Sequence, residues 1–140
     1  MNHKYPHLLP QDVGVWELFL ATHDQFFDTL DYDVRVGVGR PREDLPTPNM
    51  RRMATDLSQR RIDVVGHTAN VRTIIEITHS AGLKALGQMH AYPPLYRATY
   101  PGDFPLKRLL VAGELQSDLE LCLIHCKIPF WTPNGGIIGF

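Results

Sequence analysis

Arg61-Ile62-Asp63-Val64-Val65-Gly66 and, shortly after it, Thr73-Ile74-Ile75-Glu76-Ile77-Thr78 are two apolar stretches that each carry one carboxylate. Strand side chains alternate between two faces. Ile62 and Val64 are therefore expected on one face, with Arg61, Asp63 and Val65 on the other. On the second strand Ile75 and Ile77 oppose Ile74, Glu76 and Thr78. A hairpin turning at Ala69-Asn70, with Asn70 taking the positive φ of a tight turn, sets Asp63 directly opposite Glu76. Like charges facing each other destabilise a sheet. A chain that keeps them holds a cation or a shared proton between them. An Asp and a Glu on adjacent strands suit Mg²⁺, which takes oxygen ligands and favours phosphate. A slip of one residue in register would instead send the two acids to opposite faces, as ordinary solvated side chains.

The rest of the 140 residues bounds the answer. This length suits one compact domain, and 44% apolar residues make it globular rather than disordered. A net charge of −1 gives no global attraction to nucleic acid, so any such surface must be a local patch. Arg40, Arg42, Arg51, Arg52, Arg60 and Arg61 supply a local basic excess that suits a phosphate backbone or an acidic protein neighbour. There is no apolar run of membrane-spanning length. Cys122 and Cys126 are the only cysteines, which suggests a reducing compartment without a disulfide framework.

Apolar spacing predicts a helix over 12–29, with Asp12 as N-cap and Val13, Trp16, Phe19, Leu20 and Phe27 inward. Residues 32–38 alternate as a strand. Pro41, Pro46 and Pro48 mark a loop over 39–49, followed by a short turn of helix over 50–59. After the two acid-bearing strands, a helix opens at Ser80 and runs to about Tyr92, where Pro93-Pro94 ends or kinks it. A buried strand over 108–112, an apolar helix over 117–125 and a last strand over 128–132 complete the order. The first three strands can form a meander. A right-handed helical crossover then makes the third and fourth parallel, giving a mixed sheet with helices on both faces.

That order, with these residues, resembles the PD-(D/E)XK nuclease superfamily, whose core is helix, three strands, helix, strand. Asp63 matches the acid of the second strand, and Glu76-Ile77-Thr78 stands where Glu-X-Lys belongs. Gln88 and Tyr92 match a Gln-X-X-X-Tyr feature of one branch. The resemblance spans about 12–112. It implies an α/β, restriction-endonuclease-like αβββαβ core with a mixed central sheet flanked by helices, followed here by a C-terminal helix and strand. One domain over 1–132 and a tail over 133–140 are expected. The resemblance further implies that Asp63 and Glu76 hold Mg²⁺, and that Glu17 stands for an extra acid some members place on the first helix. The chain also looks like small bacteriophage-encoded proteins of this fold.

The departure is Thr78, which cannot supply the positive charge of the family's Lys. Lys84, in the first turn of the next helix, could reach back, as the Lys of some members does. Arg61, opposite Thr78 in this register, could supply charge but is a poor proton shuttle. The catalytic set is then Asp63, Glu76, Gln88 and Lys84. His67, His79 and His90 are the histidines within reach of the acids. Cys122, His125 and Cys126 share one helix but lack a fourth ligand nearby, and read as core.

Two functions follow as expectations. The first is a catalytically degenerate, nuclease-fold binding or assembly module, in a virion or in the host cytoplasm. Its partners would be proteins, and its Ile137-Ile138-Gly139-Phe140 end either folds back on the domain or docks on a neighbour. The alternative is an active Mg²⁺-dependent deoxyribonuclease, with DNA as partner. Neither reading involves a membrane. Met1-Asn2-His3-Lys4-Tyr5-Pro6 lacks a signal peptide's apolar stretch, so no secretion by that route is expected.

Overall fold

A computed structural model describes Tyr5 and residues 7–140; the other residues read above for a signal peptide lie outside the described ones. The described elements are α1 (Pro10–His23), β1 (Thr29–Val36), α2 (Pro48–Ser58), β2 (Arg60–Thr68), β3 (Val71–Ala81), α3 (Leu83–Thr99), β4 (Leu106–Leu115), α4 (Leu119–His125), β5 (Phe130–Thr132) and β6 (Gly136–Ile138). The strands form one sheet in chain order, β1 to β6. β1, β2 and β3 are antiparallel neighbours; the two-residue link between β2 and β3 can only return the chain, whereas β1 and β2 are joined by a long connection that carries α2. The crossovers through α3 and α4 make β3, β4 and β5 parallel. β6 then turns back antiparallel to β5. The protein is thus an α/β fold with a six-stranded mixed sheet flanked by helices. Among the described residues no helix is long and apolar enough to cross a membrane.

Two cores sit on the two faces. Trp16 and Phe19 of α1 pack on Val64, Ile75, Leu109, Val111 and Trp131. Met89, Tyr92 and Tyr96 of α3, with Leu119 and Leu123 of α4, pack on Ile62, Ile74, Leu110 and Phe130. The expected face pattern of β2 changes at Asp63. The cross-strand pair Tyr32–Val64 lies on the α1 side, whereas Val34–Ile62 lies on the α3 side. Ile62 and Val64 therefore do not share a face. The reversal coincides with a left-handed residue in the neighbouring strand, Asp33 at φ 56°, a conformation Asp tolerates better than most residues.

Other expectations are refined. α1 stops at His23, and its N-cap is Leu9 rather than Asp12. Phe27 belongs to the following turn, where its ring occupies the space a Cβ on Gly66 would need. α2 is a full helix, started by Thr47, whose hydroxyl accepts from the Met50 N–H at 3.1 Å, and by Pro48 in the first turn. α3 runs through Pro93-Pro94 to Thr99 instead of ending there. Pro93 has no N–H for the Met89 carbonyl, and the Arg108 guanidinium donates to that oxygen instead, at 2.9 Å. The hairpin turns at Ala69-Asn70 as expected, but Ala69 takes the positive φ (52°) rather than Asn70. The Asp28 carboxylate accepts from the Ala69 N–H at 3.1 Å and steadies it. The 133–140 end folds back on its own domain: it supplies β6, and the Phe140 ring lies 5.1 Å from Phe26 and 4.7 Å from the Lys107 ammonium.

Candidate functional site

The β2–β3 ladder runs from Thr68↔Val71 to Val64↔Ile75, so the next pair would be Asp63 and Glu76. There the side chains take over from the backbone. The Asp63 N–H donates to Glu76 Oε1 at 3.0 Å, and the Ile77 N–H donates to Asp63 Oδ2 at 2.9 Å. Each carboxylate thus stands in for a ladder carbonyl of its own strand. The strands part beyond this point, and a cleft of about 460 Å³ opens.

Asp63, Glu76, Thr78, Lys84 and Gln88 all line this cleft, so the residues read as a site are brought together. β2 and β3 supply the acids, and the first turns of α3 supply Lys84 and Gln88, one helical turn apart. The α1 N-terminus closes the opposite wall with Leu9, Gln11 and Asp12.

The electrostatics push both acids of the pair toward the protonated form. Glu76 is 5% exposed. Burial, and then the negative charge of Asp63, hold its carboxyl well above the usual carboxylate range, with Lys84 acting weakly the other way. Burial also raises Asp63, opposed by the Ile77 N–H and by a hydrogen bond with the Glu76 side chain. Of the two, Glu76 is pushed up further, so it is the acid of the pair that keeps a proton to higher pH. Tyr92 is likewise raised, by burial and then by the Glu76 charge, and its hydroxyl accepts from the Gln88 amide at 3.4 Å.

Several expected contributors lie elsewhere. Glu17 is exposed and outside the cleft lining. The acid that α1 does bring is Asp12, whose Oδ1 accepts from the His79 N–H at 2.8 Å and ties α1 to the end of β3. Arg61 does not face Thr78, because the ladder has ended by then. It donates to Asp33 Oδ2 at 3.4 Å. His67 pairs with Asp31 at 2.8 Å, and His90 lies on the exposed side of α3. The histidine that contacts Asp63 is His7, whose ring Nε2 lies 3.2 Å from the Asp63 backbone carbonyl oxygen. No periodicity could have announced it, since it precedes every element. Cys122 and Cys126 are half-buried free thiols, and Cys126 packs against the α3-side core.

The donor chemistry suits a hard cation: two carboxylates on adjacent strands is the number Mg²⁺ takes when phosphate and water complete its shell. Among the described residues, however, no three His, Cys, Asp or Glu side chains converge to hold a metal ion. The Thr78 hydroxyl donates to the Ser80 carbonyl at 3.2 Å.

No family model matches the chain, and neither a curated protein nor a solved structure matches it.

Proposed function

We propose that this chain is a PD-(D/E)XK-type domain that binds rather than cuts, a structural or assembly module of the kind a bacteriophage virion uses, with protein neighbours as partners. The observation that carries this reading is the wiring of the acid pair. Asp63 and Glu76 each hold a backbone N–H, and burial pushes both carboxyls above their ordinary range, while Thr78 stands where a lysine would be needed and turns its hydroxyl to the Ser80 carbonyl. Hydrolysis needs acids free to hold a cation and a positive group to steady developing charge. With α2 set aside as an insertion between β1 and β2, the remaining order α1, β1, β2, β3, α3, β4, the three antiparallel strands and the parallel β3–β4 pair support the nuclease-like assignment of the fold, and a scaffold can outlive its chemistry.

A second reading, a Mg²⁺-dependent deoxyribonuclease, is favoured by one specific observation: Lys84 lines the same cleft, and its charge acts on Glu76. On that reading Asp63 and Glu76 would hold the ion, which supplies a polarised phosphodiester and a more acidic water. Gln88, whose amide donates to the Tyr92 hydroxyl, would orient the substrate, and Lys84 would replace the missing lysine.

Substitution at two positions separates the readings. Thr78→Lys in the binding module supplies the missing positive group but leaves the acid pair wired to the backbone, so no Mg²⁺-dependent cleavage is expected from it; cleavage created by Thr78→Lys would show a site otherwise intact and contradict the reading. If the parent itself cleaves DNA and Lys84→Ala abolishes the activity, the second reading replaces the first.

A further inference from the structure

The apolar side of α2 faces outward. Met50, Met53 and Leu57 recur at helical spacing, which puts them in one stripe, and they are 44%, 63% and 62% exposed. No residue of the helix is buried. We infer that α2 is a self-association surface that packs antiparallel on the α2 of a second copy of this chain, with Met50, Met53 and Leu57 as the apolar seam and Arg52 of each copy against Asp56 of the other. None of these residues lines the acid cleft, so the inference goes beyond the reading of that cleft and does not depend on it.

The opposite side of the helix fixes the outward turn of the stripe. The Thr55 carbonyl oxygen occupies the space a Cβ on Gly39 would need, and Gly39 has φ 71°. The chain leaving β1 therefore lies directly against the α2 backbone. The Arg40 N–H donates to the Ser58 hydroxyl, the Gln59 amide to the Gly37 carbonyl at 2.6 Å, and Arg51 Nη1 to the Leu45 carbonyl at 2.8 Å. α2 is thus seated through backbone and polar groups, and its apolar side chains are left to another surface. Two of the three are methionines, which adapt to the shape of whatever covers them.

Charge says what that surface is. Arg51 and Arg52 lie toward the N-terminal, positive end of the helix dipole, and Asp56 lies in the last turn, so the charges run against the dipole of their own helix. Arg52 precedes Asp56 by four residues, the weaker order for a pair within one helix. Among the described residues neither of them forms an ion pair. An antiparallel neighbour of the same sequence corrects both faults, because its opposite end lies beside each charge. Arg52 and Asp56 are about 40° apart around the helix, on one flank of the stripe. A two-fold axis perpendicular to two antiparallel helices brings like flanks together. Pairing centred on Ala54 therefore sets Arg52 of each copy against Asp56 of the other. It also brings Met50 of each copy beside Leu57 of the other, with the two Met53 side chains on either side of the axis. A two-fold interface needs this self-complementarity. A purely acidic partner would satisfy Arg52 and leave Asp56 facing like charge.

Three seam residues a side are fewer than a standard interface uses, so the dimer is weak. The test is sedimentation equilibrium of the full chain, with circular dichroism to show that each variant is folded. The wild-type weight-average mass is expected to rise from the monomer's toward twice that value between about 10 μM and 1 mM. Met53→Asp should weaken association by about tenfold or more, because it buries a charge in the seam. Arg52→Asp and Asp56→Arg should each weaken it severalfold. An equimolar mixture of these two variants should associate again, because each then offers the charge the other lacks. A mass that stays monomeric up to about 1 mM overturns the inference and leaves the stripe to a different protein. So does a dimer that the folded Met53→Asp variant keeps, which places the contact elsewhere. A mixture that associates no better than its two components overturns the antiparallel pairing.

Discussion

Glu76 holds its proton to higher pH than an ordinary carboxyl because the sheet takes it out of water and sets Asp63 beside it. A carboxyl raised on folding stabilises the native state below its unfolded value, near 4.5, and that contribution is lost as pH rises through the folded value. Asp63 is raised too and acts in the same sense. Wild-type stability should therefore fall as pH rises from about 4.5 toward neutrality and above. Glu76→Gln keeps an acceptor for the Asp63 N–H and removes the charge. Urea melts from pH 4 to 9 should show a flatter profile and a more stable protein at the alkaline end; an unchanged slope would refute the raised Glu76 carboxyl. Asp12→Ala removes the acceptor for the His79 N–H, and should cost about 1–2 kcal/mol in the same melts, with Asp12→Asn closer to wild type. At this scale the sequence was informative for Asp63 and Glu76, because alternation and a two-residue turn fix which residues meet. It read Asp12 as an N-cap and was silent on His7; the roles of both depend on how α1 and the N-terminal segment cross the end of the sheet.

The elements show why some boundaries could not be read. Pro93-Pro94 signals a stop, yet α3 continues because a residue far along the chain replaces the lost donor. Arg108 Nη1 donates to the Met89 carbonyl, and Nη2 donates to the Cys126 carbonyl at α4's end. Arg108→Ala should therefore destabilise by about 2–3 kcal/mol, since it strands two part-buried acceptors. Pro93→Ala returns an N–H to the Met89 carbonyl, so the double variant should recover about 1 kcal/mol of that loss in a double-mutant cycle. Strict additivity of the two changes would show that the guanidinium does not replace the missing amide. The face change at Asp33 and Asp63 has the same origin: β1 and β2 each look like plain alternation, and only their pairing around a left-handed Asp33 reverses the pattern.

Over the whole molecule, element order and strand direction were legible because loop length and crossover handedness restrict the topology so strongly. The tail was not, because three strand residues beside glycines carry no period. It nevertheless covers Trp131 and Phe26 and completes one edge of the sheet. Deleting 133–140 should lower stability by about 2 kcal/mol, or roughly 5–10 °C in Tm; an unaltered melting curve would mean that β6 adds nothing to the fold. What the assembled molecule does turns on whether the acid cleft still performs chemistry. The most direct measurement is cleavage of linear, circular and single-stranded DNA with Mg²⁺ or Mn²⁺, by wild-type protein against a folded Asp63→Asn/Glu76→Gln control. The account predicts no cleavage above the control with either ion. Metal-dependent cleavage that disappears in the control would contradict it and identify an active nuclease.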